Sequence, residues 1–342
     1  MKAAMLQSPG VIEVVDYPEP TAGEGKVLVR VAAASICGSD IGAYRGYNAR
    51  FAFPTILGHE IAGTIVEVGP GVDRGRIGSR VIVEPNVCCG TCPRCKAGLP
   101  NICPDYKVLG QNLQVQGGLA ELVAVNANQV FDLPEHVSFA EGALVQPMGI
   151  AYHGVDQAEV QAGEIALVLG AGPIGLGFQM IAQARGARTI VADVVDDRLA
   201  LAARLGAEVT VRVDSPDFVD CVLAATDGRG ADVVAEAVGG SQELTLLHAV
   251  RLAATRGRIC LLGMFANKPI PFPAYDFKNR EISLVGSHGH PRTVKLSLDL
   301  VAAGKLPVKE LITHRMPLSE VARAFELLDA RRDGIIKAVL EP

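Results

Sequence analysis

With 342 residues, 49% hydrophobic and 20% charged, the chain is long enough for about two domains and excludes a disordered or fibrous protein. A formal net charge of −5, with no basic stripe interleaved with aromatics, points away from nucleic acid and toward a small-molecule partner. The start, MKAAMLQSPG, reaches Ser8, Pro9 and Gly10 too soon for a signal peptide, and the apolar run Ile165–Met180 is broken by glycines and Pro173, which a membrane span does not need. The expected location is therefore the cytoplasm, and eight cysteines there are read as metal ligands before disulfides.

In chain order, the first third reads as short β-branched strands, KVLVRVAAAS, EIAGTIVEVG and RVIVEP, divided by glycine and proline. Between the first two, and at the start of the second, stand Cys37, in SICGSD, and the neighbours His59 and Glu60, in LGHEIAG. One thiolate, one imidazole and one carboxylate suit a zinc ion that keeps an open position, although each residue alone is equally at home in a core. Next comes CCGTCPRCKAGLPNIC, where Cys89, Cys92, Cys95 and Cys103 have the spacing of a closed tetrahedral zinc site. Disulfides are the alternative, but three cysteines this close cannot all bridge without strain. Cys88 is the spare, and a register shift by one stays open at this point.

From about Ile165 the rhythm becomes apolar run, turn and amphipathic helix. IALVLG, RTIVAD, EVTVRV, ADVVAEAVG, GRICLLGM and ISLVGS are six expected strands of a doubly wound parallel sheet. Gly170, Gly172 and Gly175 form G-x-G-x-x-G after the first of them, with Pro173 and Ile174 opening the helix. The glycines suit a tight turn, close approach of a pyrophosphate and close helix packing. Asp193 ends the next strand where an acid accepts from an adenosine ribose, which favours NAD over NADP. Arg198, shortly after, is the residue that tempers this preference, since a cation there accommodates a 2′-phosphate in some enzymes. Past Gly286 come two helices, KLSLDLVAAGK and LSEVARAFELLDA, and a last strand, GIIKAVLE, expected to rejoin the first domain.

Taken together, GHE, CGSD, the four-cysteine lobe, GAGPIGLG and ITHRMPLSEVARAFELL resemble the zinc-dependent medium-chain dehydrogenases over essentially the whole chain, and most closely their polyol, sugar and diol branch. The resemblance implies a GroES-like catalytic domain (1–148 and 287–342) with a zinc lobe, a Rossmann NAD-binding domain (149–286), and an active site in the cleft between them. It further implies that Cys37 and His59 bind a catalytic zinc, that Glu60 binds it or exchanges with water, that Ser39 starts a proton relay, and that Asp40 orients the His59 ring. Gln146 departs from the family, whose members carry Glu or Cys there, and Gly42 stands where many have a relay histidine. Because Gln146 adds no charge, neutrality calls for Glu60 as a direct ligand, with Gln146 positioning a water or hydroxyl. Tyr44, Arg45 and Tyr47 fall where the family places pocket residues.

The expected activity is hydride transfer from a secondary hydroxyl of a polyol, sugar, sugar acid or vicinal diol to NAD, with two zinc ions per chain, one catalytic and one structural. An amino-alcohol dehydrogenase of threonine type is the runner-up, and a non-catalytic cofactor-binding protein the reading from another class. Relatives are commonly dimers or tetramers that pair through a sheet edge, for which GRICLLGM and ISLVGS are the candidates.

Overall fold

The computed structural model describes residues 1–47, 51–111, 115–240, 242–265 and 269–342. They form two compact units, Met1–Gln146 with Val294–Pro342, and Pro147–Thr293. The return crossing lies later than the sequence places it, at 294 rather than 287. Ser287 N bonds to Leu261 O (3.0 Å) and Thr293 Oγ1 to Gly149 O (2.7 Å), so 287–293 stay with the second unit.

In the first unit the three expected strands become Lys26–Ser35, Glu60–Val68 and Arg80–Val83, neighbours in one mixed sheet. Lys26–Ser35 carries its apolar residues into a core with Ile61, Ile65, Val123 and Phe325, while Lys26 and Arg30 stay in solvent. The far end of the chain supplies two further strands: Lys337–Glu341 pairs with Lys26–Ser35, and Ile312–Pro317 covers its outer edge. The second of these was not expected from sequence. Its alternation is polar-rich and only Met316 is fully buried, so no apolar stripe announces it. Register is decisive here. Ser35 stands opposite both Glu60 and Val339, so Ser35, Glu60 and, two residues along the same face, Lys337 converge.

The second unit is a six-stranded, all-parallel sheet in the order Val209–Arg212, Arg188–Asp193, Ile165–Leu169, Ala231–Glu236, Ala253–Leu261, Ser283–Gly286. Ile165–Leu169 is buried along its whole length, as a central parallel strand with both faces covered must be. Helix Pro173–Ala184 follows it, with proline at the first helical position, where a missing N–H costs nothing. The expected edge is only half right: GRICLLGM lies in Ala253–Leu261, which is paired on both sides, whereas ISLVGS ends the sheet. Among the described residues no helix is long and apolar enough to cross a membrane.

Candidate metal centres and dinucleotide site

Two groups in the first unit bring metal-ligating atoms together, Cys89, Cys92, Cys95 and Cys103, and Cys37, His59 and Glu60; within each, the ligand atoms lie within 4.8 Å of one another. Cys88 stands outside the first group. The lobe is shaped locally. Cys92 caps the short helix Pro93–Lys96, so that the Cys95 amide donates to Cys92 Sγ and the Cys92 amide to Cys89 Sγ, both at 3.4 Å. Cys103 Sγ lies 3.6 Å from Cys89 Sγ and 4.0 Å from Cys92 Sγ. These spacings are far beyond a disulfide bond. They match the edge of a tetrahedron with Zn–S bonds of 2.3 Å, about 3.8 Å.

Electrostatics agrees with that geometry. Amide N–H groups of Thr91 and Cys92 bring the Cys89 thiol down to about 6, whereas burial and the Cys92 neighbour hold Cys95 far above the thiol range. Four thiolates this close need a cation to share their charge. The donor set therefore fits a closed zinc site. Cys103→Ser, which alters the buried member, is expected to remove one zinc per chain by metal analysis. It should lower Tm by about 10 °C, since metal binding of several kcal/mol is lost and each is worth about 2–4 °C in a chain of this size.

The second group is assembled from distant segments. Cys37 is the N-cap of helix Gly38–Tyr44, and Asp40 reaches back to accept from the Cys37 amide at 2.9 Å. The other oxygen of Asp40 stands 3.6 Å from His59 Nδ1, while Ser39 Oγ lies 3.5 Å from His59 Nε2, so the ring is flanked on both nitrogens. Burial disfavours an imidazolium at His59, but Asp40, Cys37 and Glu60 outweigh it and push the ring up to about 10. Burial likewise drives the Asp40 carboxyl upward against the pull of His59. Three acidic side chains, Asp40, Cys37 and Glu60, thus crowd one imidazole.

Glu60 opens strand Glu60–Val68 and is fully buried. Ser35 Oγ and Lys337 Nζ both donate to its Oε2, and Lys337 Nζ also donates to Ile36 O at 2.8 Å. Oε1 is buried with no hydrogen-bond partner among the described residues. One sulfur, one nitrogen and one orphaned carboxylate oxygen fit a zinc ion with room for a further ligand. Sequence reading missed Ser35 and Lys337. A buried lysine in a strand is conspicuous only once the register with Glu60 is known.

Gln146 is buried in the first turn of helix Val145–Gln157, where Pro147 is tolerated. Arg45 is tied to Asp329, donating to its side chain and, at 2.7 Å, to its carbonyl, and the Tyr44 ring packs 5.4 Å from Phe325. Both fasten the first helix to helix Val321–Ala330, and of the three only Tyr47 is largely exposed. His153 is buried, and burial together with His290 and His288 holds its imidazole below the ordinary range despite Asp156.

In the second unit, Gly170 has φ +98°, a left-handed conformation suited to glycine, and a Cβ on Gly175 would lie 1.8 Å from Gly170 O. No atom stands within 4 Å of a Cβ on Gly172, so a ligand can approach the backbone there. Asp193 is fixed by three amides: Ala171 N on Oδ2 (2.6 Å), and Val194 N (2.7 Å) and Val195 N (3.0 Å) on Oδ1. Arg198 Nη1 is 3.9 Å from Asp193 Oδ2.

A dinucleotide-type sheet on one chain with two soft-donor ligand sets defines a metal-dependent oxidoreductase. Residues 23–135 match the family model of the alcohol dehydrogenase GroES-like domain and residues 173–303 that of the zinc-binding dehydrogenases. Sorbitol dehydrogenase of Bacillus subtilis is 32% identical over 100% of this chain and 97% of its own. An alcohol dehydrogenase of Escherichia coli, solved with NADH, has 30% identity and a TM-score of 0.93, covering 100% of this chain and 99% of that one. A zinc-binding dehydrogenase of Sinorhizobium meliloti, solved with NADP, has 32% identity and a TM-score of 0.91 over 100% of this chain and 99% of that one. The chain belongs to the zinc-dependent medium-chain alcohol dehydrogenases, in the branch that holds the polyol dehydrogenases.

Proposed function

We propose that this enzyme oxidises a secondary hydroxyl of a polyol, sugar, sugar acid or vicinal diol to a ketone, with NAD taking the hydride and a proton released. The observation that carries the reading is the Cys37, His59 and Glu60 set, its His59 and Glu60 buried and Cys37 partly so, with Glu60 Oε1 left for an ion. Bound zinc would supply the acidity that lowers the hydroxyl pKa, and bound NAD would accept the hydride.

The chain's own residues do the rest. Asp40, itself anchored on the Cys37 amide, sets the orientation of His59. Lys337 and Ser35 occupy Glu60 Oε2 and so turn Oε1 toward the ligand set. Ser39, beside His59, takes the hydroxyl proton while passing its own on, and Gln146 positions the hydroxyl. The glycine turn Gly170–Gly175, with Pro173 and Ile174, receives the pyrophosphate. Asp193 keeps lone pairs for a ribose hydroxyl, and its three amide bonds prevent it from swinging away from a 2′-phosphate, so NAD is preferred even with Arg198 near.

A homodimer or homotetramer through the exposed edge strand Ser283–Gly286 suits the sheet, and thiol-rich ligand sets suit the cytoplasm. The test is turnover on polyols, sugars, sugar acids, diols and amino alcohols with both cofactors. We expect a polyol-type substrate to be oxidised at least about tenfold better with NAD, from charge repulsion of at least about 1.4 kcal/mol. Preference for an amino alcohol would move the enzyme to the threonine type, and cofactor binding without any turnover would sink the enzymatic reading.

A further inference from the structure

The parallel sheet dictates how a dinucleotide lies on it. Strand order reverses direction between Ile165–Leu169 and Ala231–Glu236, and a ligand rests beyond the carboxyl ends at that point. With the pyrophosphate at the glycine turn and the adenosine ribose toward Asp193, the remaining half extends the other way. It then lies over the turns that follow Ala231–Glu236 and Ala253–Leu261, residues 237–240 and 262–265.

Those turns are joined from beneath. Gln242 Nε2 donates to Val238 O and to Met264 O, each at 2.8 Å, and Gly240 bridges Phe265. Leu262 N and Gly263 N both donate to Glu236 O, at 2.8 and 2.9 Å. The Glu236 side chain is wholly buried; Oε1 accepts from Thr245 Oγ1 at 2.8 Å, and Oε2 lies against Gly263 without an aligned donor. Burial pushes this carboxyl up to about 7. An acid is costly in such a place unless its bonds organise what surrounds it, and the hydride transfer above makes no use of it.

We infer that Glu236, Thr245 and Gln242 form a buried clip that positions the nicotinamide half of the cofactor by fixing the turns 237–240 and 262–265. This rests on the NAD reading above. These are positioning residues, acting through backbone rather than touching the cofactor.

The test compares NADH with ADP-ribose, which lacks the nicotinamide, by calorimetric titration of the full-length protein. Thr245→Val is expected to weaken NADH about tenfold, the effect of one lost buried hydrogen bond, and to leave ADP-ribose within about twofold. Thr245→Ser, which keeps the hydroxyl, should restore NADH binding. Gln242→Met removes the other half of the clip and should give the same pattern, which keeps the test open if Thr245→Val folds poorly. Equal weakening of both ligands, or unchanged NADH binding, overturns the clip. Wild-type protein that binds neither ligand would instead overturn the NAD reading itself, and the clip with it.

Discussion

Cys37→Ser is expected to lower kcat/KM by about 10³-fold or more and to reduce bound zinc from two ions per chain to one. The size follows from the several kcal/mol of charge stabilisation a Lewis acid supplies, at a factor of ten per 1.36 kcal/mol. Serine is a poor zinc ligand at neutral pH because its hydroxyl stays protonated. It is, however, a better N-cap than cysteine, so helix Gly38–Tyr44 and the Asp40 contact with the residue 37 amide should survive. A cooperative unfolding transition and NADH affinity should therefore be retained while turnover collapses, with Tm falling only by the contribution of the lost ion. That separation is what distinguishes loss of a ligand from loss of fold. A variant that keeps both zinc ions and full activity would remove Cys37 from the centre.

Local features were legible in the sequence and register-dependent ones were not. The four cysteines of the lobe and the three glycines of the turn act through backbone a few residues away, so spacing alone carries their geometry. Cys89, Cys92, Cys95 and Cys103 meet because a capped turn brings them round. Cys37 and His59 could be singled out only by resemblance, since 22 positions of chain separate them and strand pairing closes the gap. Lys337 was invisible for the same reason in stronger form: its partner Glu60 lies 277 positions away, and the pair exists because Ser35 aligns with both Glu60 and Val339. Arg45 is a similar case: its partner Asp329 lies 284 positions away and is brought beside it by the packing of two helices. Nothing in the sequence singles out Glu236, because its surroundings depend on what two later turns bring beside it.

Lys337→Met should expose how the buried charges near the first centre are balanced. Methionine keeps most of the apolar stem, so the change is chiefly the loss of an ammonium from a pair whose side chains are 3% and 1% exposed. Removing one partner of such a pair leaves the other charge uncompensated, which costs about 3–5 kcal/mol. For a chain of this size that corresponds to a fall in Tm of about 10 °C. The loss should be larger in protein stripped by a chelator than in zinc-loaded protein, because an ion at Glu60 Oε1 would replace part of the missing positive charge. Comparing variant with wild type under each condition cancels the separate contribution of the four-cysteine lobe. Adding Glu60→Gln should recover much of the stability in stripped protein, since the stranded carboxylate is then gone, and the resulting double-mutant cycle measures the pair directly. Equal losses with and without zinc would mean that Glu60 does not face the ion, and the three-residue ligand set would reduce to Cys37 and His59.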